Sequence, residues 1–119
     1  MSANEPRLAE YLAHMLEAVD WIAQFTAGMS EERFIGDVQC QHAVLRNIEV
    51  IGEAAGRIRA RFPDFADKHA EIAWRDIYGM RNRLLHGYFA INLRTVWATI
   101  QGDLPLLKAQ LLAAKHDTA

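Results

Sequence analysis

Apolar residues recur at steps of three and four along most of this chain, and no stretch alternates convincingly at period two. Val44, Ile48, Ile51, Ala55, Ile58 and Phe62 share one helical face, and Leu8, Leu12, Met15, Val19 and Ile22 share another. Sheets are thereby excluded, and the pattern predicts an all-α fold: a single-domain antiparallel helical bundle of about four to five helices over residues 1–119. A chain of 119 residues buries about two-thirds of the surface that its unfolded form exposes, enough for one core and no second domain.

Capping and breaking residues divide the chain. Asn4 is expected to cap a first helix whose opening turn holds Glu5 and Pro6 and whose stop is Gly28, with Trp21 and Phe25 widening its apolar surface. Ser30 is placed to cap a helical turn, and Asp37 to cap a second long helix that Pro63 ends. Gly52 and Gly56 on that helix cost propensity but admit another backbone closely, so they predict a tight helix contact, with a dimer interface as one candidate. Phe62 to Ala70 reads as a polar connection. A third helix follows from about Glu71 to about His86 on Ala73, Ile77, Met80 and Leu84, closed by Gly87. Asn92 caps a final helix through Val96, Trp97 and Ile100, which Gly102 and Pro105 are expected to kink or interrupt before Leu106, Leu107, Leu111 and Leu112. Trp21, Trp74 and Trp97 all fall among apolar positions and are assigned to the core.

No apolar run approaches the roughly 20 residues of a membrane span. Residues 1–7 lack the features of a signal peptide and Cys40 has no partner for a disulfide, so a cytoplasmic location is expected. The net charge of −2 is unevenly spread: residues 1–56 carry three basic and nine acidic side chains, residues 57–94 eight basic and four acidic. Local positive potential of that kind attracts polyanions, and Arg57, Arg75 and Arg83 are the candidate RNA-binding residues.

The basic segment contains Arg81-Asn82-Arg83-Leu84-Leu85-His86-Gly87-Tyr88, the one cluster suited to phosphodiester chemistry. A guanidinium neutralises phosphate through a two-pronged hydrogen bond, and an imidazole moves protons near neutral pH. His86 could take the proton of a ribose 2′-hydroxyl or deliver one to the departing 5′-oxygen, while Arg81 stabilises charge on phosphorus; this route needs no metal or other cofactor. Residues five apart on an unbroken helix differ by about 140° in direction. Arg81 and His86 therefore meet either because the helix ends between them, or because two protomers of a homodimer each contribute one of the pair. The dimer would also supply a second histidine.

Glu49 and Glu53 lie one turn apart on the second helix. Glu53 with Arg57 reads first as a surface ion pair, since no histidine or aspartate completes a metal site, but either carboxylate could orient Arg81 if that face lines the same cleft. His14, His42, His69 and His116 are assigned to the surface or to packing.

At the motif the sequence resembles the HepT-like branch of the HEPN superfamily, whose signature is an arginine, a polar residue, three further positions, then histidine, any residue and tyrosine. Arg81, Asn82, His86 and Tyr88 match it without departure. Gln41 to Ala55 is similar to the family's second long helix, and Trp74 to Met80, Asn92, Val96-Trp97 and Asp103-Leu104-Pro105 follow in the family's order. The resemblance implies a metal-independent ribonuclease toxin of a bacterial or archaeal two-gene toxin–antitoxin system. Arg81 and His86 would be its cleavage pair and Asn82 a polar helper. It further implies silencing by an MntA-type nucleotidyltransferase antitoxin that adds AMP to Tyr88, placing bulk and negative charge beside Arg81. The alternative is a non-catalytic substrate- or partner-binding subunit of a nucleotidyltransferase complex.

Overall fold

Two short side chains start two of the helices. The Ser30 hydroxyl accepts from the Arg33 N–H at 3.1 Å at the head of α2 (Glu31–Ile35), and the Asp37 carboxylate accepts from the Cys40 N–H at 2.9 Å at the head of α3 (Val38–Arg61). The computed structural model to which these helices belong describes residues 7–86 and 91–118, with the backbone alone for residues 85 and 86. Ahead of them, α1 runs from Leu8 to Phe25. It begins after an extended Arg7; Asn4, the expected cap, lies outside the described residues. Past its end Gly28 takes φ +74°, the left-handed turn that a glycine provides at low cost.

α3 is the central element, packed against α1 and against α5 (Trp74–His86). Its stripe of Val44, Ile48, Ile51, Ala55 and Ile58 is buried, as are Leu12, Met15, Val19 and Ile22 of α1. Full burial of side chains of this size stabilises by about 1.5–3 kcal/mol each. Phe34 of α2 is fully enclosed, and Gln41 donates from Nε2 to the carbonyls of Phe34 and Ile35 at 2.9 and 2.8 Å, satisfying the end of that short helix. Cys40 is buried with its Sγ 3.8 Å from Met29 Sδ; desolvation, helped by the Asp37 charge, pushes its thiol up, so it packs as a small apolar group.

The expected connection after Pro63 is instead a further helix, α4 (Pro63–Lys68), because Pro63 suits a first helical turn where its missing N–H costs nothing. Trp74 closes the following loop: buried, it donates from Nε1 to the carbonyls of Ala66 and His69. α5 accordingly begins at Trp74 and not at Glu71, leaving Ala73 outside it and exposed.

Asn92 caps α6 (Leu93–Ala98) by accepting from the N–H groups of Arg94 and Thr95. Gly102 and Pro105 do not break the helical course that follows. Residues Thr99–Asp103 widen into a π turn, in which the Leu104 N–H bonds the Thr99 carbonyl, and α7 (Leu104–Lys115) continues with Pro105 in its first turn. The rotation sets the buried stripe of α7 at Leu104, Leu107, Leu111 and Ala114, so of the four leucines expected to continue the helix Leu106 and Leu112 face out.

Of the three tryptophans Trp74 is buried and Trp97 lies partly buried on Phe34, but Trp21 is 43 % exposed. It stacks on the equally outward Phe25 and donates to Glu17, which satisfies its N–H without core contact. The described residues contain no strand and form one core; among them no helix is long and apolar enough to cross a membrane.

Candidate active site

The site begins at the crossing of α3 and α5. Side chains three and four apart share a helical face, and on α3 that face carries Gly52 and Gly56. A methyl group at Gly56 would meet the Tyr78 ring at 2.4 Å, and one at Gly52 would meet Arg81 Cβ at 2.1 Å. The tight contact implied by these glycines is thus made inside the chain, against α5, and not at a dimer interface. It seats Tyr78 and Arg81 directly on the α3 backbone.

Above that seat lies a cleft of about 630 Å3 lined by Glu53, Gly56, Arg57, Arg59, Ala60, Tyr78 and Arg81. Three guanidinium groups face it against one carboxylate. Glu53 is 4.0 Å from Arg57 and both are about half exposed, so the pair is a weak, screened contact that leaves the cleft positive. Arg81 is half-buried and donates from Nη1 to Asn82 Oδ1 at 3.0 Å; among the described residues its other N–H groups have no partner. A guanidinium fixed on one prong and open on the others is arranged to receive a phosphate.

The remaining site candidates separate. Glu49 pairs with Arg46 at 3.4 Å and is not on the cleft wall, whereas Glu53 is. Arg75 borders a neighbouring cleft of about 350 Å3 with Arg59, Asp67 and Asp76, where the charges balance. Arg83 lies on another side of α5, in an apolar groove of about 290 Å3 with Met80, Asp103, Leu106 and Leu107. Of the three arginines expected to bind RNA, Arg57 shares this cleft with Arg81, and Arg75 and Arg83 do not line it.

Of the two ways for Arg81 and His86 to meet, a helix that ends between them is not what forms: α5 keeps helical geometry through His86, the end expected for this helix. The His86 side chain, Gly87 and Tyr88 lie outside the described residues. Two residues of the cleft, Arg59 and Tyr78, escaped the sequence reading as site candidates. The signal for Tyr78 was its spacing, three residues before Arg81, opposite a glycine pair four apart.

An all-α core with an arginine-bearing cleft at the α3–α5 crossing defines a class that comparison makes specific. Residues 15–114 match the model of the family described as Ribonuclease HepT-like, and the chain belongs to that family. It is similar to "Probable ribonuclease HepT" of Thermococcus cleftensis, 40% identical over 101 residues that cover 85% of this chain and 89% of the relative. It is also similar to "Putative RNase TTE0752" of Caldanaerobacter subterraneus subsp. tengcongensis, 36% identical over 101 residues, 85% of this chain and 88% of the relative. No solved structure matches the chain.

Proposed function

We propose that this chain is a ribonuclease, the toxin of a two-gene toxin–antitoxin system, that cleaves RNA with Arg81 and His86. The observation that carries the reading is Arg81 itself, held by Asn82 and the Gly52 crossing in a cleft with an excess of guanidinium charge. The relatives' names point to the same substrate.

In this reaction the ribose 2′-oxygen attacks phosphorus as its proton passes to a histidine, and the bond to the 5′-oxygen breaks as that oxygen is protonated. Arg81 stabilises the charge on the non-bridging oxygens. One His86 serves each site, taking the proton of the 2′-hydroxyl and delivering a proton to the departing 5′-oxygen. The unbroken course of α5 keeps positions 81 and 86 about 140° apart around the helix axis, which favours assembly of the pair across a homodimer. Consistent with such an interface, Ile77, Met80 and Leu84 of α5 remain only partly buried in the single chain.

A nucleotidyltransferase partner of the MntA type would silence the cytoplasmic toxin by placing AMP on Tyr88, two residues from His86. The added phosphate would compete with RNA for the same arginine charge. Expressing the protein alone tests the enzyme: growth arrest and RNA degradation should both vanish with His86→Ala and with Arg81→Ala. Toxicity that survives either substitution removes the assignment.

A further inference from the structure

We propose that Tyr78 is a base-stacking platform, with Arg59 binding a flanking phosphate, so that the cleft takes unpaired ribonucleotides; this rests on the reading of the cleft as an RNA site. Tyr78 precedes Arg81 by three residues and lines the same cleft, so the phenol ring and the guanidinium stand side by side.

The ring is pinned. Its Cδ1 and Cε1 occupy the space that a methyl group on Gly56 would need, at 2.4 and 2.6 Å from the built position, so α3 backs it on one side. On the other it is open, 37 % exposed, although it sits in the middle of the α3–α5 contact. Among the described residues its hydroxyl makes no hydrogen bond. An accessible aromatic face already seated on a helix presents a ready surface for a base to stack on.

The charge around the ring suits the same ligand. Arg57, Arg59 and Arg81 surround the ring, and Glu53 is the one carboxylate on the wall. An aromatic face flanked by guanidinium groups binds a single strand, whose bases expose their π-faces while the phosphates track the positive wall. A duplex offers no such face, because its bases are stacked on one another. Arg59 also borders the neighbouring cleft, where Asp67 and Asp76 offset Arg75, so the excess of positive charge ends with Arg59.

Fluorescence anisotropy tests this with a labelled 12-nucleotide RNA and its duplex, using the full chain carrying His86→Ala so that the probe survives. The single strand should bind more tightly than the duplex. Tyr78→Leu should weaken single-strand binding about 5- to 150-fold, the loss of one base–aromatic stack, while Tyr78→Phe restores it. Arg59→Ala should lower the dependence of log affinity on log salt by about 0.7, the release of one phosphate contact. Circular dichroism of each variant separates lost folding from lost binding. Unchanged affinity in a folded Tyr78→Leu, or equal binding of duplex, overturns the platform even while Arg81→Ala still abolishes cleavage. Conversely, a wild-type protein that binds in this Tyr78-dependent way but cuts nothing overturns the ribonuclease and leaves the platform standing.

Discussion

A methyl group on Gly52 would lie 2.1 Å from Cβ of Arg81, 2.9 Å from its Cγ and 3.2 Å from the Ile77 carbonyl oxygen. The residue without a side chain on α3 is therefore what positions the arginine on α5. Gly52→Ala must push the two backbones apart, since neither Cβ nor a carbonyl can rotate away. Overpacking of this kind costs about 1–3 kcal/mol, against a gain of about 1 kcal/mol in helix propensity. At Gly56 the obstacle is the ring of Tyr78, which can swing into solvent. Urea titration should find Gly52→Ala the less stable variant, and Gly56→Ala near or above wild type. The reverse order would mean that the helices do not cross at Arg81.

Leu111 and Leu112 make a sharp pair, adjacent in sequence and opposite in environment: Leu111 is fully buried and Leu112 is 45 % exposed. Leu111→Ala should cost about 2–5 kcal/mol through lost burial and the cavity left behind. Leu112→Ala should stay within about 0.5 kcal/mol, the range of an exposed position. Similar losses in thermal or urea unfolding would show that the π turn does not set the rotation of α7.

Where local chemistry decides, the sequence was readable. Ser30, Asp37 and Asn92 cap as their residue types require, and the stripes of α1 and α3 are buried as their spacing demands. A local rule with two outcomes does not decide the structure. Pro63 ends one helix but is equally suited to start the next, and Pro105 fits the first turn of α7 because a π turn before it absorbs the register change. Trp21 reads as core by type, yet it lies beside the buried stripe. At the site, Gly52 and Gly56 announced a close approach, but spacing on α3 cannot say that the approaching residues are Arg81 and Tyr78. That depends on where α5 crosses.

Asp117 makes a pH-sensitive contact with His69. Its Oδ2 stands 2.7 Å from Nε2 of His69, with Lys68 Nζ 3.5 Å away, while Nδ1 of the same ring faces Glu71 at 3.3 Å. The hydrogen bond to His69, assisted by Lys68, holds the Asp117 carboxyl below the ordinary carboxylate range. A carboxyl depressed on folding contributes stability that is present above its unfolded value of about 3.9 and is lost as pH falls through the lower folded value. The carboxyl carbon shift of Asp117, followed by NMR, should titrate below about 3.9 and move back up in His69→Ala. Equal midpoints in the two proteins would dissociate the C-terminal turn from His69.

On the proposed function, Tyr88 carries regulation and not chemistry. Tyr88→Phe should cleave RNA like wild type but remain active when co-expressed with the nucleotidyltransferase, because no hydroxyl is left to accept AMP. Intact-mass measurement should show the AMP adduct on wild type alone. Loss of cleavage in Tyr88→Phe would assign the hydroxyl a direct part in the reaction.

The continuity of α5 from Arg81 to His86 makes the oligomer testable by activity. If each catalytic site takes its arginine from one protomer and its histidine from the other, Arg81→Ala and His86→Ala homodimers are both dead. A mixed dimer nevertheless contains one site with both groups intact and one with neither. Unfolding the two variants together and refolding them in equal amounts makes half the dimers mixed, so about a quarter of wild-type cleavage should return. Each variant refolded alone should stay inactive. If arginine and histidine of the same chain meet, every site in the mixture lacks one of them, and no activity returns at any ratio.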